Sequence, residues 1–217
     1  MLKIKSFTFN PFQENTFVVY DEYGNAAIID PGCFDPGEKR ELLDFITENK
    51  LKPTLLMNTH CHIDHVLGNA WVKRTFGIPF LIHEKESSVL KSVEVYAPNY
   101  GFHGYEGCEA DQFLEEGQEI KIGEDTLKVL FVPGHSPGHV VFYHENSGQC
   151  IAGDTVFRGS IGRTDLPGGD HELLLNKIKG VLFSLPEETI LYPGHGPKTT
   201  LAFEKSNNPF VGKNAIY

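Results

Sequence analysis

One six-residue segment, His60-Cys61-His62-Ile63-Asp64-His65, carries four side chains of the kind that hold metal ions, directly after a short apolar run. Extended backbone places alternate side chains on one face, so His60 and His62 can reach one cation together while Cys61 points away into packing. Asp64 and His65 follow where the pattern turns helical, and they turn toward a neighbouring position. Imidazole and carboxylate suit zinc, iron or manganese, and three histidines with an open position make a catalytic zinc pattern. Three distant residues sit in one shared context, each after a strand-like run and flanked by Gly or Pro. They are His135 in Pro133-Gly134-His135-Ser136-Pro137-Gly138-His139, Asp154 at the end of Cys150-Ile151-Ala152-Gly153-Asp154, and His195 in Pro193-Gly194-His195-Gly196-Pro197. Binding residues concentrate on loops held by rigid elements, so a fold for this chain has to gather the ends of several strands. His83, His103, His144 and His171 lack ligand spacing and read as surface or hydrogen-bonding residues.

The periodicity supplies those strands. Two β-rich runs around a Gly/Asn turn predict a hairpin over 16–30, stopped by Pro31-Gly32. Apolar residues at helical spacing predict helices over 36–49, 64–76, 84–93 and 171–182. Strands are expected at 53–57, 78–83 and 189–192, and two further hairpins within 119–132 and 140–154. Each half of the chain has a strand ending in Asp (Asp30, Asp154) and a later strand followed by His (His60, His195), a weak internal repeat. Strands and helices in this order fit two sheets packed face to face with helices outside, an α/β class. With 217 residues and no Ser/Gly/Pro-rich linker, a single domain over 1–217 is expected. Residues 96–111, rich in Tyr, Phe, His and Gly, form the one irregular stretch, and such loops are often functional.

Composition narrows the partners. The chain has 19 basic and 29 acidic residues, net −10, with no Lys/Arg run longer than two, which disfavours nucleic acid. The four cysteines form no C-x-x-C pair, which suits a reducing, cytoplasmic compartment. No secretory leader is evident at the N-terminus, and no stretch reaches the ~20 apolar residues that span a bilayer. Oligomeric state is not readable from the sequence.

Taken with Glu14-Asn15-Thr16 and Asp30-Pro31-Gly32, these motifs resemble the metallo-β-lactamase-fold superfamily over nearly the whole chain. Gly153-Asp154-Thr155-Val156-Phe157, Gly159-Ser160-Ile161-Gly162-Arg163-Thr164-Asp165 and the tail Asn208-Pro209-Phe210 are similar to its glyoxalase II branch, the hydroxyacylglutathione hydrolases, in their short bacterial form. The resemblance implies a four-layer αββα sandwich with two divalent metals, zinc first and iron or manganese next. His60, His62 and His135 would hold one, Asp64, His65 and His195 the other, and Asp154 would bridge. Asp64 and Asp154 are then the catalytic carboxylates. The implied reaction is hydrolysis of an acyl thioester such as S-D-lactoylglutathione by a metal-activated hydroxide. Arg163 is implied as a clamp for a glutathione carboxylate, Asp30 as a hydrogen-bond acceptor near the site, and His139 as a support rather than a ligand. The sequence departs from full-length glyoxalase II enzymes, because only 22 residues follow His195 and no separate C-terminal helical glutathione-binding domain is expected. A persulfide dioxygenase with one Fe(II) on His60, His135 and Asp154 is the alternative.

Overall fold

The computed structural model describes residues 1–215. They form two compact units, Met1–Leu114 with Lys121–Thr126, and Glu115–Ile120 with the chain from Leu127 onward.

The first unit is built on a six-stranded mixed sheet in the order β1-β2-β3-β4-β5-β6. The strands are β1 (Lys3–Phe9), β2 (Glu14–Tyr20), β3 (Asn25–Ile29), β4 (Lys52–Met57), β5 (Phe80–His83) and β6 (Gln112–Leu114). The predicted hairpin is β2–β3, antiparallel with Val18 opposite Ile28, and β3 to β6 run parallel. Helix α1 (Pro36–Glu48) crosses from β3 to β4. Its start is a capping box: the Asp35 carboxylate accepts from the Gly37 and Glu38 amides, and Glu38 accepts from the Phe34 and Asp35 amides. Val18, Ile28, Leu56 and Ile82 pack with Leu42 and Ile46 of α1 in the core. Phe17, Ile29, Met57 and Leu81, on the opposite face, are buried as well. A sheet covered on both faces is the expected setting for parallel strands.

The helix expected over 64–76 is two helices, α2 (Ile63–Val66) and α3 (Asn69–Phe76). The break falls at Gly68, whose amide donates to Pro31 O at 2.7 Å. A Cβ there would lie 2.6 Å from Cys33 Sγ and 2.8 Å from Pro31 O, so the chain passes too close for a side chain. The helix expected over 84–93 starts later, as α4 (Ser87–Tyr96), after a single 3₁₀ turn at Glu84–Glu86. Of the stretch expected to be irregular, Tyr96 ends α4 and residues 97–111 hold only a second such turn at Ala97–Tyr100. They are fastened from α3 by Lys73–Asp111 and Arg74–Glu106 ion pairs.

The other sheet, mixed and in the order β14-β13-β10-β9-β8-β7, belongs to the second unit except for residues 121–126 at the β7–β8 turn. Its strands are β7 (Glu119–Ile122), β8 (Asp125–Phe131), β9 (Val140–His144), β10 (Gln149–Gly153), β13 (Ile190–Pro193) and β14 (Thr199–Thr200). A small ribbon, β11 (Val156–Phe157) with β12 (Ser160–Ile161), lies between Asp154 and Gly162. Helices α5 (His171–Gly180) and α6 (Leu201–Asn207) contribute Leu174, Ile178 and Leu201 to a core with Val141, Cys150, Ala152 and Leu191. The parallel pair β10–β13 repeats the logic of β3–β4: both end with ligand-type residues side by side.

Candidate metal centre

In the first unit the candidate residues gather at the ends of parallel neighbours. Asp30 follows β3, and its amide donates to Met57 O at the end of β4. Its backbone holds φ +50°, a conformation L-residues seldom adopt and Asp tolerates better than most. Its buried carboxylate accepts from Thr59 N–H at 2.7 Å, Thr59 Oγ1 at 2.6 Å and Asn58 Nδ2 at 3.1 Å. The Thr59 hydroxyl proton is spent on Asp30, so its oxygen accepts from His60 Nδ1 at 3.1 Å, leaving the His60 Nε2 lone pair for a cation. His65 Nδ1 also faces Asp30, at 3.2 Å from Oδ2, and its Nε2 lies 3.6 Å from Asp64 Oδ2. One carboxylate therefore orients two imidazoles, the arrangement that commonly backs metal-binding histidines.

The remaining groups crowd close. The His60 ring centroid is 4.8 Å from that of His62 and 4.2 Å from that of His65. Ligand atoms of Asp30, His60 and His65 lie within 4.8 Å of one another. His60 and His65 are buried, while His62 and Asp64 are partly open. The Asp64 backbone is pinned by Asn10 Nδ2, at 3.0 Å from its carbonyl oxygen. Cys61 is buried and points into the core, its amide bonded to Glu86, as expected.

Two residues here were given no individual role by the sequence. Glu14 is fully buried, with Oε1 3.8 Å from His65 Nδ1 and Oε2 accepting from Thr16 Oγ1. Burial holds its carboxyl well above the usual range; His65 opposes this, and Asp30 and Asp64 reinforce it. Tyr96, at the end of α4, has its phenol pushed up to about 12, by burial first and by neighbouring Asp64 next. It stays a hydroxyl donor at any working pH. The Glu14-Asn15-Thr16 motif was the only sequence signal for the first, and the irregular aromatic stretch for the second.

In the second unit, His135, Asp154 and His195 come together. A carbonyl only accepts, so His135 Nδ1 donates to Arg163 O at 2.7 Å, and its Nε2 lies 3.6 Å from Asp154 Oδ2. His195 Nε2 is 3.5 Å from the same oxygen. Gly194, next to His195, donates to Gly153 O, next to Asp154. His139 is buried and accepts from the Asp154 amide at 3.0 Å, so it steadies the aspartate as the sequence suggested. Arg163 itself is 61% exposed, and its guanidinium makes a bidentate pair with Asp165, 2.7 Å on both bonds. That pairing lowers the Asp165 carboxyl to about 2.

The donor set of imidazoles and carboxylates, with ring nitrogens locked on one side and presented beside carboxylate oxygens on the other, is compatible with a binuclear metal centre. No helix among the described residues is long and apolar enough to cross a membrane.

Known proteins agree with this reading. The model of the metallo-β-lactamase superfamily matches residues 9–195. Hydroxyacylglutathione hydrolase GloC of Haemophilus influenzae is 36% identical over 206 residues, covering 94% of this chain and 95% of its own. The crystal structure of BLEG-1 B3 metallo-β-lactamase superposes with a TM-score of 0.86 at 36% identity, covering 96% of this chain and 99% of that one. TTHA1623 in a di-iron-bound form superposes with a TM-score of 0.83 at 39% identity, covering 95% and 99%. The two mixed sheets with their helices are thus the metallo-β-lactamase fold. The chain belongs to the metallo-β-lactamase superfamily, and within it is a metal-dependent hydrolase.

Proposed function

We propose that the protein is a hydroxyacylglutathione hydrolase-like thioesterase, acting on S-D-lactoylglutathione or a related acyl thioester in the cytoplasm. The observation that carries it is the presentation of imidazole Nε2 atoms beside carboxylate oxygens in both units, on a chain 36% identical to GloC over nearly its full length. In this reading His60, His62 and His135 would hold one ion and Asp64, His65 and His195 the other, with Asp154 available to both. Zinc is the first expectation; TTHA1623 in its di-iron-bound form supports iron as well. When bound, two divalent ions supply a polarised carbonyl and a water that is nucleophilic near neutral pH.

The chain's own groups do the rest. Asp64, with its backbone fixed by Asn10, orients the attacking water. The thiolate leaves without strong acid assistance, because a thiol near pKa ~8.5 is a good leaving group. Arg163 is the proposed anchor for a substrate carboxylate, which has to displace Asp165 from the guanidinium fork.

The test is metal analysis of purified protein with parallel assays for thiol release from S-D-lactoylglutathione, oxygen consumption with a persulfide, and β-lactam hydrolysis. About two metal equivalents with thiol release are expected. One iron per chain with oxygen consumption would replace the thioesterase with the dioxygenase.

A further inference from the structure

The segment after His195 has no place in the proposed chemistry, yet it holds a fully buried carboxylate. Glu204 of α6 accepts from the Gly159 amide at 3.1 Å, from Thr199 Oγ1 at 2.5 Å and from Asn208 Nδ2 at 2.7 Å. Asn208 Nδ2 also donates to Ser160 O at 2.9 Å. One residue earlier on α6, the Phe203 ring lies under the Arg158 guanidinium, 4.4 Å from its centroid. Arg158, Gly159 and Ser160 are the tip of the β11–β12 ribbon. A buried carboxylate is costly unless its oxygens are hydrogen-bonded, and here they hold that tip.

The ribbon's other end carries the ligand-type residues. It begins directly after Asp154 and ends at Gly162-Arg163. Phe157, on β11, meets the His195 ring edge-on at 5.9 Å. Arg163 O fixes the His135 Nδ1 proton. The return is so tight that a Cβ on Gly162 would lie 1.9 Å from Asp154 O and 2.9 Å from His135 Nδ1. A shift of the ribbon therefore moves all three residues of this half-set.

We propose that α6 is a clamp, with Glu204, Asn208 and Phe203 acting as positioning residues that set His135, Asp154 and His195 for metal through the β11–β12 ribbon. This rests on the metal-centre reading above. These residues touch neither substrate nor metal; they act through the ribbon.

The experiment compares wild type with Glu204→Ala, Glu204→Gln and Phe203→Leu, and with Val72→Ala as a control. Val72 is a buried core residue of the first unit, so its truncation lowers stability away from the clamp. The readouts are zinc affinity by chelator competition, the visible absorption of the cobalt-loaded protein, and the thermal midpoint of the metal-free protein. Glu204→Ala should weaken metal binding about 10- to 100-fold, as loss of outer support does elsewhere, and should alter the cobalt bands. Glu204→Gln should recover part, since its amide oxygen can still accept from Gly159. Phe203→Leu, a change at a half-buried ring, should shift affinity the same way by less, and it decides the matter should Glu204→Ala not fold. Val72→Ala should lower the midpoint and leave affinity and spectrum unchanged. Unchanged affinity and spectrum in the α6 variants, with two ions in wild type, would overturn the clamp alone. Wild-type protein that takes up no metal would overturn the metal-centre reading and the clamp with it.

Discussion

Asp30 shows how one side chain can govern several. Its carboxylate accepts from Thr59, Asn58 and His65 at once, and through Thr59 it sets His60. Asp30→Asn keeps the shape but turns a donor toward donors. Buried donors left unpaired cost roughly 1–3 kcal/mol each, so the metal-free protein should lose about 2–4 kcal/mol in urea unfolding, and zinc affinity should fall as well. Full retention of both would refute the orienting role. Arg163→Ala should lower kcat/KM about tenfold for a glutathione thioester and little for a small thioester without carboxylates, since a charge-assisted pair is the contact removed. Asp165→Ala should lower KM for the glutathione thioester, because it frees the fork. Equal effects on both substrates would count against Arg163 as an anchor. The cysteines offer a pH test. Cys33, Cys61 and Cys150 are buried, and Cys108 is half-buried with its thiol pushed up to about 11 by burial. The thiolate is the reactive form. Alkylation should therefore give one adduct, at Cys108, with a rate rising about tenfold per pH unit between 7 and 10. A first adduct elsewhere, or a rate flat in pH, would contradict this.

At the scale of elements, turns and breaks position the chemistry. The α2–α3 break lets the chain leave His65 and pass against Pro31 and Cys33, holding the His60–His65 segment over Asp30. Gly68→Ala should cost about 1–3 kcal/mol, the usual penalty of forcing atoms into a filled space. Cys33→Ala in the same chain should relieve part of it, because Cys33 Sγ is one of the two close contacts. The measurement is the urea midpoint of the two single variants and the double variant; strict additivity would show that Sγ is not the obstacle. The helical pattern over 64–76 could not reveal this break. Its cause lies in a loop some thirty residues earlier, and periodicity within one segment carries no information about such a contact.

For the molecule as a whole, the proposed ligands follow several strand ends, so metal binding should be tied to folding. An ion that binds only the folded chain stabilises it by about 2.7 kcal/mol at a hundredfold excess over its Kd. At this size that is a rise of roughly 5–10 °C in Tm per ion. Calorimetry with excess zinc and with a chelator should show this rise and its reversal. A Tm indifferent to metal would argue that these residues do not hold ions.

Four of the seven proposed ligand residues stand out in the sequence because metal chemistry demands particular atoms at short spacing, and His60-Cys61-His62-Ile63-Asp64-His65 meets that demand within one local segment. The paired strand ends were legible too, since apolar runs stopped by Gly and Pro are local signals. Strand β1 was not, because most of its residues are exposed and its pattern is weak. Nor was α6, a helix of two turns. Only the tertiary structure decided that Asp30 serves two histidines, that Arg163 lends its carbonyl to His135 while its side chain pairs with Asp165, and that Glu204 grips the ribbon beyond Asp154. The Asp30, Arg163 carbonyl and Glu204 contacts join groups distant in the chain, whose geometry exists only once the backbone has folded.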